Sequence, residues 1–371
     1  MKENKRNGWF IGLCLGLLFA VQMQIQVCAT PVQGDVPAED TQETITVVRE
    51  KEKIRMLPGE YRYVKASIAS DAIVESSDTR ILQVANSGLM RARKAGEAKV
   101  TVTEGTTQTI VTVVVTDEVD LIIFAGQSNM CGTGGNKDSA PQPSVGTAYE
   151  FDVATGSKSC IIMKEPFGQG TNRRQGLDDD KIYSTSGTLV SSFCISYYKQ
   201  TKTPVVGVPA SWGGSSTNTW LKRGLVKETK RRVNLAKKSL KKNKIKIRHI
   251  YMVWYQGESD AMQGCSEAKY IKNMKAIYQK MKTVGVEQMM IIQIGRDRSA
   301  PDSGYTIMGA QSKLCKTDKH FTMVSTLPKI LYDESGYYYS DVIHINQNGL
   351  NKIGTQAGKK AGQYAKKHKK K

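Results

Sequence analysis

The spacing of apolar positions changes several times along the chain. After a basic start from Met1 to Arg6, an apolar stretch runs from Trp9 to about Val21, and the small-residue site Val27-Cys28-Ala29 follows. That layout predicts a secretory signal over residues 1–29, cleaved after Ala29, with an uncleaved membrane anchor as the alternative. Residues 30–43 carry Pro, Gln, Thr, Gly and acidic side chains without periodicity, and a solvated linker is expected there. Between 44 and 117 the pattern becomes one of short strands: Ile45–Val48, Tyr61–Ile68, Ile81–Ala85, Ala98–Val102 and Thr109–Val115. Turn residues separate them, which predicts a small all-β sandwich.

From residue 118 the texture changes again. The apolar runs Leu121–Ala125, Pro204–Pro209, Ile247–Trp254, Met289–Ile294 and Thr322–Thr326 read as strands buried on both faces. Between and after them, apolar residues recur at helical intervals: Val226, Val233, Ala236 and Leu240, then Ile271, Met274, Tyr278 and Met281, and finally Leu350, Ile353, Ala357 and Tyr364. Strands alternating with helices predict an α/β domain over 118–366, three layers (α/β/α) around a parallel sheet, with 367–371 a solvated basic tail. The region from Cys131 to Ser186 has no clear period and is expected to form surface loops that shape a pocket.

Parallel sheets carry their chemistry in the loops after the strands, so the residues at those ends matter most. The run Leu121–Ala125 stops at Gly126-Gln127-Ser128-Asn129, which places a hydroxyl where a nucleophile would stand. A serine in such a loop is ordinarily a turn former or helix cap, and its company has to argue otherwise. Of the four histidines, His249 lies in an apolar strand, His320 follows a polar stretch and His368 sits among lysines. His344 differs: Asp341 precedes it by three residues, close enough in a tight loop to accept from Nδ1–H and leave Nε2 as a base. The strand Pro204–Pro209 delivers Gly213-Gly214-Ser215, whose N–H groups could face a ligand oxygen, and Ile247–Trp254 delivers Gln256, Glu258 and Asp260.

These four blocks resemble the SGNH-type serine esterases, most closely the sialate O-acetylesterase and carbohydrate esterase family six branch. Gly126-Gln127-Ser128-Asn129, Gly213-Gly214-Ser215, Trp254-Tyr255-Gln256-Gly257-Glu258-Ser259-Asp260 and Asp341-Val342-Ile343-His344 with Gly349 carry the similarity, over about residues 118–366. It implies a flavodoxin-like α/β/α hydrolase with Ser128 as nucleophile, His344 as general base and acid, and Asp341 as the carboxylate orienting it. The Ser128 and Gly214 N–H groups with the Gln256 side chain would form the oxyanion hole. Gln127, Asn129, Gly213 and Glu258 would border the substrate or support those residues. Gln256 stands where many superfamily members have an asparagine, and Glu258 is the alternative acid partner of His344. The segment from Ser76-Ser77-Asp78 through Ala95-Gly96-Glu97-Ala98 also resembles bacterial immunoglobulin-like repeats of group 2, modules that space or present a catalytic domain.

Charge narrows the partners. The chain carries 54 basic and 34 acidic residues, net +20; three of the former and one of the latter lie in 1–29, leaving 51 against 33, net +18. Attraction to polyanions follows, and with a secretion signal and no nucleic-acid motif, anionic glycans or cell-wall polymers fit better than nucleic acid. Five of the seven cysteines follow residue 29, at spacings that suit neither a zinc site nor a dense disulfide framework. With no phosphate-cradling loop, dinucleotide fingerprint or metal cluster, neither cofactor nor metal is expected. The expectation is a secreted or cell-surface serine esterase acting on O-acetylated carbohydrate. The alternatives are a non-catalytic surface glycan-binding protein and an esterase or lipase for another acyl ester.

Overall fold

The computed structural model describes residues 46–50, 53–154, 158–175, 182–296, 302, 304–331, 334, 336–338 and 343–368. The signal segment 1–29, the linker 30–43 and Asp341 lie outside the described residues. Among the described residues, the amino-terminal unit has eight strands: Thr46–Arg49 (β1), Ile54–Met56 (β2), Tyr61–Tyr63 (β3), Ile73–Ser76 (β4), Leu82–Val84 (β5), Leu89–Ala92 (β6), Gly96–Glu104 (β7) and Thr107–Val115 (β8). β1, β8, β7 and β4 pair in that order with β2 also on β8, while β3, β6 and β5 form a second sheet. Met56, Leu82, Met90, Val100, Val102 and Val113 fill the space between them. The strand expected over 61–68 ends at Tyr63, and Tyr61 and Tyr63 are both exposed. Three strands with no sequence expectation (β2, β4 and β6) are only three or four residues long, too short for alternation to stand out.

The strands of the α/β domain are Glu118–Gly126 (β9), Ala148–Phe151 (β10), Cys160–Ile162 (β11), Arg173–Gln175 (β12), Ile182–Tyr183 (β13), Val205–Ser211 (β14), Lys246–Tyr255 (β15), Gln288–Ile292 (β16) and Phe321–Ser325 (β17). Its helices are Ser128–Cys131 (α1), Val190–Thr201 (α2), Thr217–Lys222 (α3), Leu225–Lys242 (α4), Glu258–Met262 (α5), Glu267–Lys282 (α6), Tyr305–Thr317 (α7), Leu327–Leu331 (α8) and Gln347–Lys367 (α9). The main sheet runs β11-β10-β14-β9-β15-β16-β17, parallel throughout except for β11. β9 lies at its centre, and Val119 to Ala125 are all fully buried. One helical layer contains α3, α4, α6 and α7 packed on one another, and α2 packed on α9 forms the other. Covering both faces is what an all-apolar strand such as β9 requires, and the expected three-layer architecture with a parallel sheet is present.

The α2–α9 contact is unusually close. A Cβ at Gly358 would stand 2.1 Å from the Phe193 carbonyl oxygen, and one at Gly354 would stand 2.2 Å from that of Leu189. Only a glycine stripe lets the two backbones approach so far.

The region from Cys131 to Ser186 departs from expectation. It contributes β10, buried at all four positions, and the fully buried Phe167, so it extends the sheet as well as forming loops. A four-residue strand containing Glu150 breaks the apolar run that would have revealed it. The Glu150 carboxylate accepts from the Gly168 N–H, 3.1 Å to each oxygen, and burial pushes its pKa up to about 8 against the opposing pull of that bond.

A pH dependence follows. The folded protein holds a proton on Glu150 that the unfolded chain releases near its ordinary value of 4.5, so this group's stabilisation is complete below that pH and is lost as pH rises towards 8. Glu150→Gln, which keeps the shape of the protonated acid, is expected to remove a loss on the order of a few kcal/mol between those limits. Urea unfolding of both proteins at pH 5 and pH 8 measures it; identical pH slopes would refute the assignment.

Candidate active site

The three central strands β14, β9 and β15 are in register at their carboxyl ends, with Ala210, Ala125 and Trp254 side by side. Their loops therefore open onto one place. Gly126 ends β9 at φ +154°, and a Cβ there would lie 2.0 Å from the Tyr255 carbonyl oxygen. Glycine alone permits the close turn, and Ser128 emerges directly as the first residue of α1. The Ser128 hydroxyl has no hydrogen-bond partner among the described residues, though the residue is only 7 % exposed. The N–H of Gly214, at φ +68°, likewise has no acceptor among the described residues.

Gln127 and Asn129, on either side of the serine, bind the neighbouring loops. Gln127 Oε1 accepts from Gln256 Nε2 at 3.2 Å, from the Ser259 N–H at 3.2 Å and from the Gly257 N–H at 3.5 Å. Asn129 Nδ2 donates to Glu258 Oε1 at 2.7 Å, and its Oδ1 accepts from the Ile345 N–H at 3.0 Å. The residue after His344 is thus fastened to the residue after Ser128. A Cβ on Gly134 would lie 3.1 Å from that of His344, so the loop following α1 also abuts the histidine. His344 is not in the first turn of a helix: Asn346 caps α9, its side chain accepting from the Gly349 N–H at 3.2 Å, and the histidine precedes the cap.

Glu258 is half-buried, with its Oε2 shielded from solvent. Burial raises its pKa, while the Asn129 hydrogen bond and the nearby His344 pull it back down. Its Oε2 has no hydrogen-bond partner among the described residues. A narrow, partly open pocket of about 20 Å³, bordered by Asn129, Glu258, Ile294 and Ile345, lies alongside.

Gln256 is fully buried, and its amide nitrogen donates to Asp260 Oδ2 at 2.6 Å, Ser215 O at 3.0 Å and Gln127 Oε1. With two protons already shared among three acceptors, this side chain binds loops together, and donation to an oxyanion would require surrendering one of these bonds. Asp260 also accepts from Thr217 N–H at 2.8 Å and Thr217 Oγ1 at 2.5 Å. Trp220 Nε1 donates to Ser215 Oγ at 3.0 Å from within an edge-on cluster of Trp212, Trp220 and Trp254. The Gly213-Gly214 loop therefore rests on an aromatic base and a buried carboxylate. Sequence reasoning had assigned no role to Asp260 or Thr217; the short spacing from Gln256 to Asp260 was the available signal.

The other histidines are engaged elsewhere, His249 with Glu287 at 2.9 Å and His320 with Asp318 at 2.9 Å. Cys131 is fully buried, and burial holds its thiol far above the ordinary range, so it is no nucleophile. No group of three or more metal-ligating side chains occurs among the described residues.

The profile of the carbohydrate esterase, sialic acid-specific acetylesterase family matches residues 118–363. The chain belongs to that family. It is a carboxylic ester hydrolase, and the loops described above all lie within the matched residues. Among solved structures, the esterase is similar to a protein from Arabidopsis thaliana at 18 % identity, with 67 % of this chain and 98 % of that one covered and a TM-score of 0.47. A carbohydrate acetylesterase from Xanthomonas citri shares 15 % identity over 90 % and 76 % of the two chains, with a TM-score of 0.43. No curated protein sequence matches the esterase.

Removing the Asp260 carboxylate would leave the buried Thr217 N–H and hydroxyl without an acceptor and take one of its three acceptors from Gln256 Nε2. Asp260→Ala is expected to lower the stability of the esterase by about 3 kcal/mol. Denaturant unfolding measures this, and an unchanged midpoint would show that the network is not what holds the Gly213-Gly214 loop.

Proposed function

We propose that the esterase removes O-acetyl groups from carbohydrate, with Ser128 as nucleophile, His344 as general base and then acid, and Asp341 as the carboxylate that orients the ring. The observation that carries this reading is the fastening of the His344 loop to Asn129, next to a Ser128 hydroxyl with no hydrogen-bond partner among the described residues. His344 takes the serine proton as Oγ attacks the acetyl carbonyl. The tetrahedral oxyanion rests on the N–H groups of Ser128 and Gly214, with Gln256 as the frame of that site and a third donor only if it exchanges a partner. Collapse returns the proton from His344 to the departing sugar oxygen. Water then repeats the sequence on the acetyl-enzyme and releases acetate.

Glu258 is a second candidate for the acid behind His344, favoured by its burial beside Asn129 and its electrostatic contact with the ring. Further parts of the proposal concern context. A signal over 1–29 would send the protein to the cell surface or beyond, the amino-terminal β unit would act as an immunoglobulin-like spacer, and the net positive charge would favour anionic glycans or wall polymers nearby.

Ser128→Ala is expected to reduce acetate release from acetylated sugars and from p-nitrophenyl acetate on the order of 10³-fold or more, with little change in stability. A variant that retained the original rate would sink the assignment. Asp341→Asn and Glu258→Gln separate the two acids: the true partner of His344 should cost ~10²- to 10⁴-fold in kcat, the other much less. Equal, small losses from both would mean that neither orients the histidine.

A further inference from the structure

The reaction geometry decides on which side of the scissile carbonyl the sugar must lie. Because His344 returns its proton to the departing oxygen, that oxygen must sit within hydrogen-bond reach of the ring. Whatever is attached to the leaving sugar therefore continues over the surface that borders His344. The narrow pocket beside Glu258, about 20 Å³, is too small for a sugar ring. Gly134, which abuts the histidine, also borders an open groove of about 550 Å³. That volume falls in the range of small-ligand sites.

The groove is polar and firmly built. Asn136, Lys137, Asp138, Thr185, Ser186 and Asn348 line it, from three separate stretches of chain. They offer amides, hydroxyls, one ammonium and one carboxylate, which is what a ring with several hydroxyls needs for donors and acceptors. Beneath them, the buried Gln347 joins all three stretches: Oε1 accepts from the Asn136 N–H at 3.0 Å, and Nε2 donates to Thr188 O at 3.0 Å and to Asn351 Oδ1 at 2.7 Å. Asn351 Nδ2 then donates to Ser139 O at 3.0 Å. Gly135 and Gly187 keep the walls close: a Cβ on the first would lie 2.0 Å from the Gly187 carbonyl oxygen. Gln347 sits three residues past His344, so histidine and groove are held by the same short segment.

The geometry points to a second sugar-binding subsite here, one that holds an uncharged sugar residue linked to the acetylated one. Lys137 and Asp138 balance each other within it, unlike the chain as a whole with its net +20, and this selects a neutral ring over a polyanion. The esterase would then favour an acetylated sugar within a chain over the same sugar alone. This inference rests on the Ser128 and His344 assignment.

The test compares partially acetylated glucose, xylose and galactose with the corresponding acetylated trisaccharides, using the full chain and its Thr185→Trp and Asn348→Trp variants. Both positions are exposed, and the new rings would fill the groove. In at least one series the trisaccharide is expected to have a kcat/KM at least about tenfold higher than the monosaccharide, mainly through KM. Both variants should lose that gain while hydrolysing p-nitrophenyl acetate at the parental rate. No gain in any series, or a gain that survives in both variants, overturns the subsite. Failure of the parent protein to hydrolyse p-nitrophenyl acetate would instead overturn the esterase assignment on which it stands.

Discussion

One amide side chain decides whether the site exists. Asn129 gives its N–H to the half-buried Glu258 carboxylate and its oxygen to the Ile345 N–H, so three elements far apart in sequence meet at a single planar group. Each contact satisfies a group that burial would otherwise penalise. A carboxylate removed from water without a donor is expensive, and so is an amide N–H without an acceptor. The sheet does not bring the His344 loop to Ser128, because that loop precedes α9 and, among the described residues, pairs with no main-sheet strand. Asn129 supplies the attachment that topology leaves out.

The serine side of the site depends on backbone register instead. Gly126 and Tyr255 are cross-strand partners, and their contact is too tight for any Cβ at 126. Gln127 then reaches across to Gln256, Gly257 and Ser259, and Gln256 reaches on to Ser215 and Asp260. Fixed N–H groups stabilise a developing oxyanion well only if they need not reorganise during reaction. A chain of buried hydrogen bonds from one loop to the next provides that rigidity. In this light Gln256 acts more as a strut than as a donor to substrate.

Much of this was legible in the residues. The five long apolar runs of the α/β domain became strands, and the periodic stretches around Val233, Met274 and Ile353 became α4, α6 and α9. A two-sided core demands uninterrupted apolar sequence, so those signals are strong. β10 escaped because four residues containing Glu150 give no run to detect, and α2 because its buried serines and Cys194 interrupt the hydrophobic stripe. At the site, Ser128 and the glycine loop could be placed from strand ends alone. The bridging role of Asn129 and the Asp260–Thr217 link could not, since sequence shows neither which loops touch nor which side chain lies between them.

The histidine side has its own support, which reaches well beyond the loop. Asn346 caps α9 immediately after Ile345, Gln347 ties the first turn to the 136 and 188 loops, and α9 itself is seated on α2 through Gly354 and Gly358. A side chain at either glycine would push α9 away from α2, and its amino-terminal end would carry Asn346, Ile345 and His344 with it. Asn129 meets that segment through its hydrogen bond to the Ile345 N–H, so such a displacement would bear on this bond. Packing at a helix pair on one face of the sheet is thus connected to the position of His344, and the close approach of α2 and α9 supports the candidate site as well as the core.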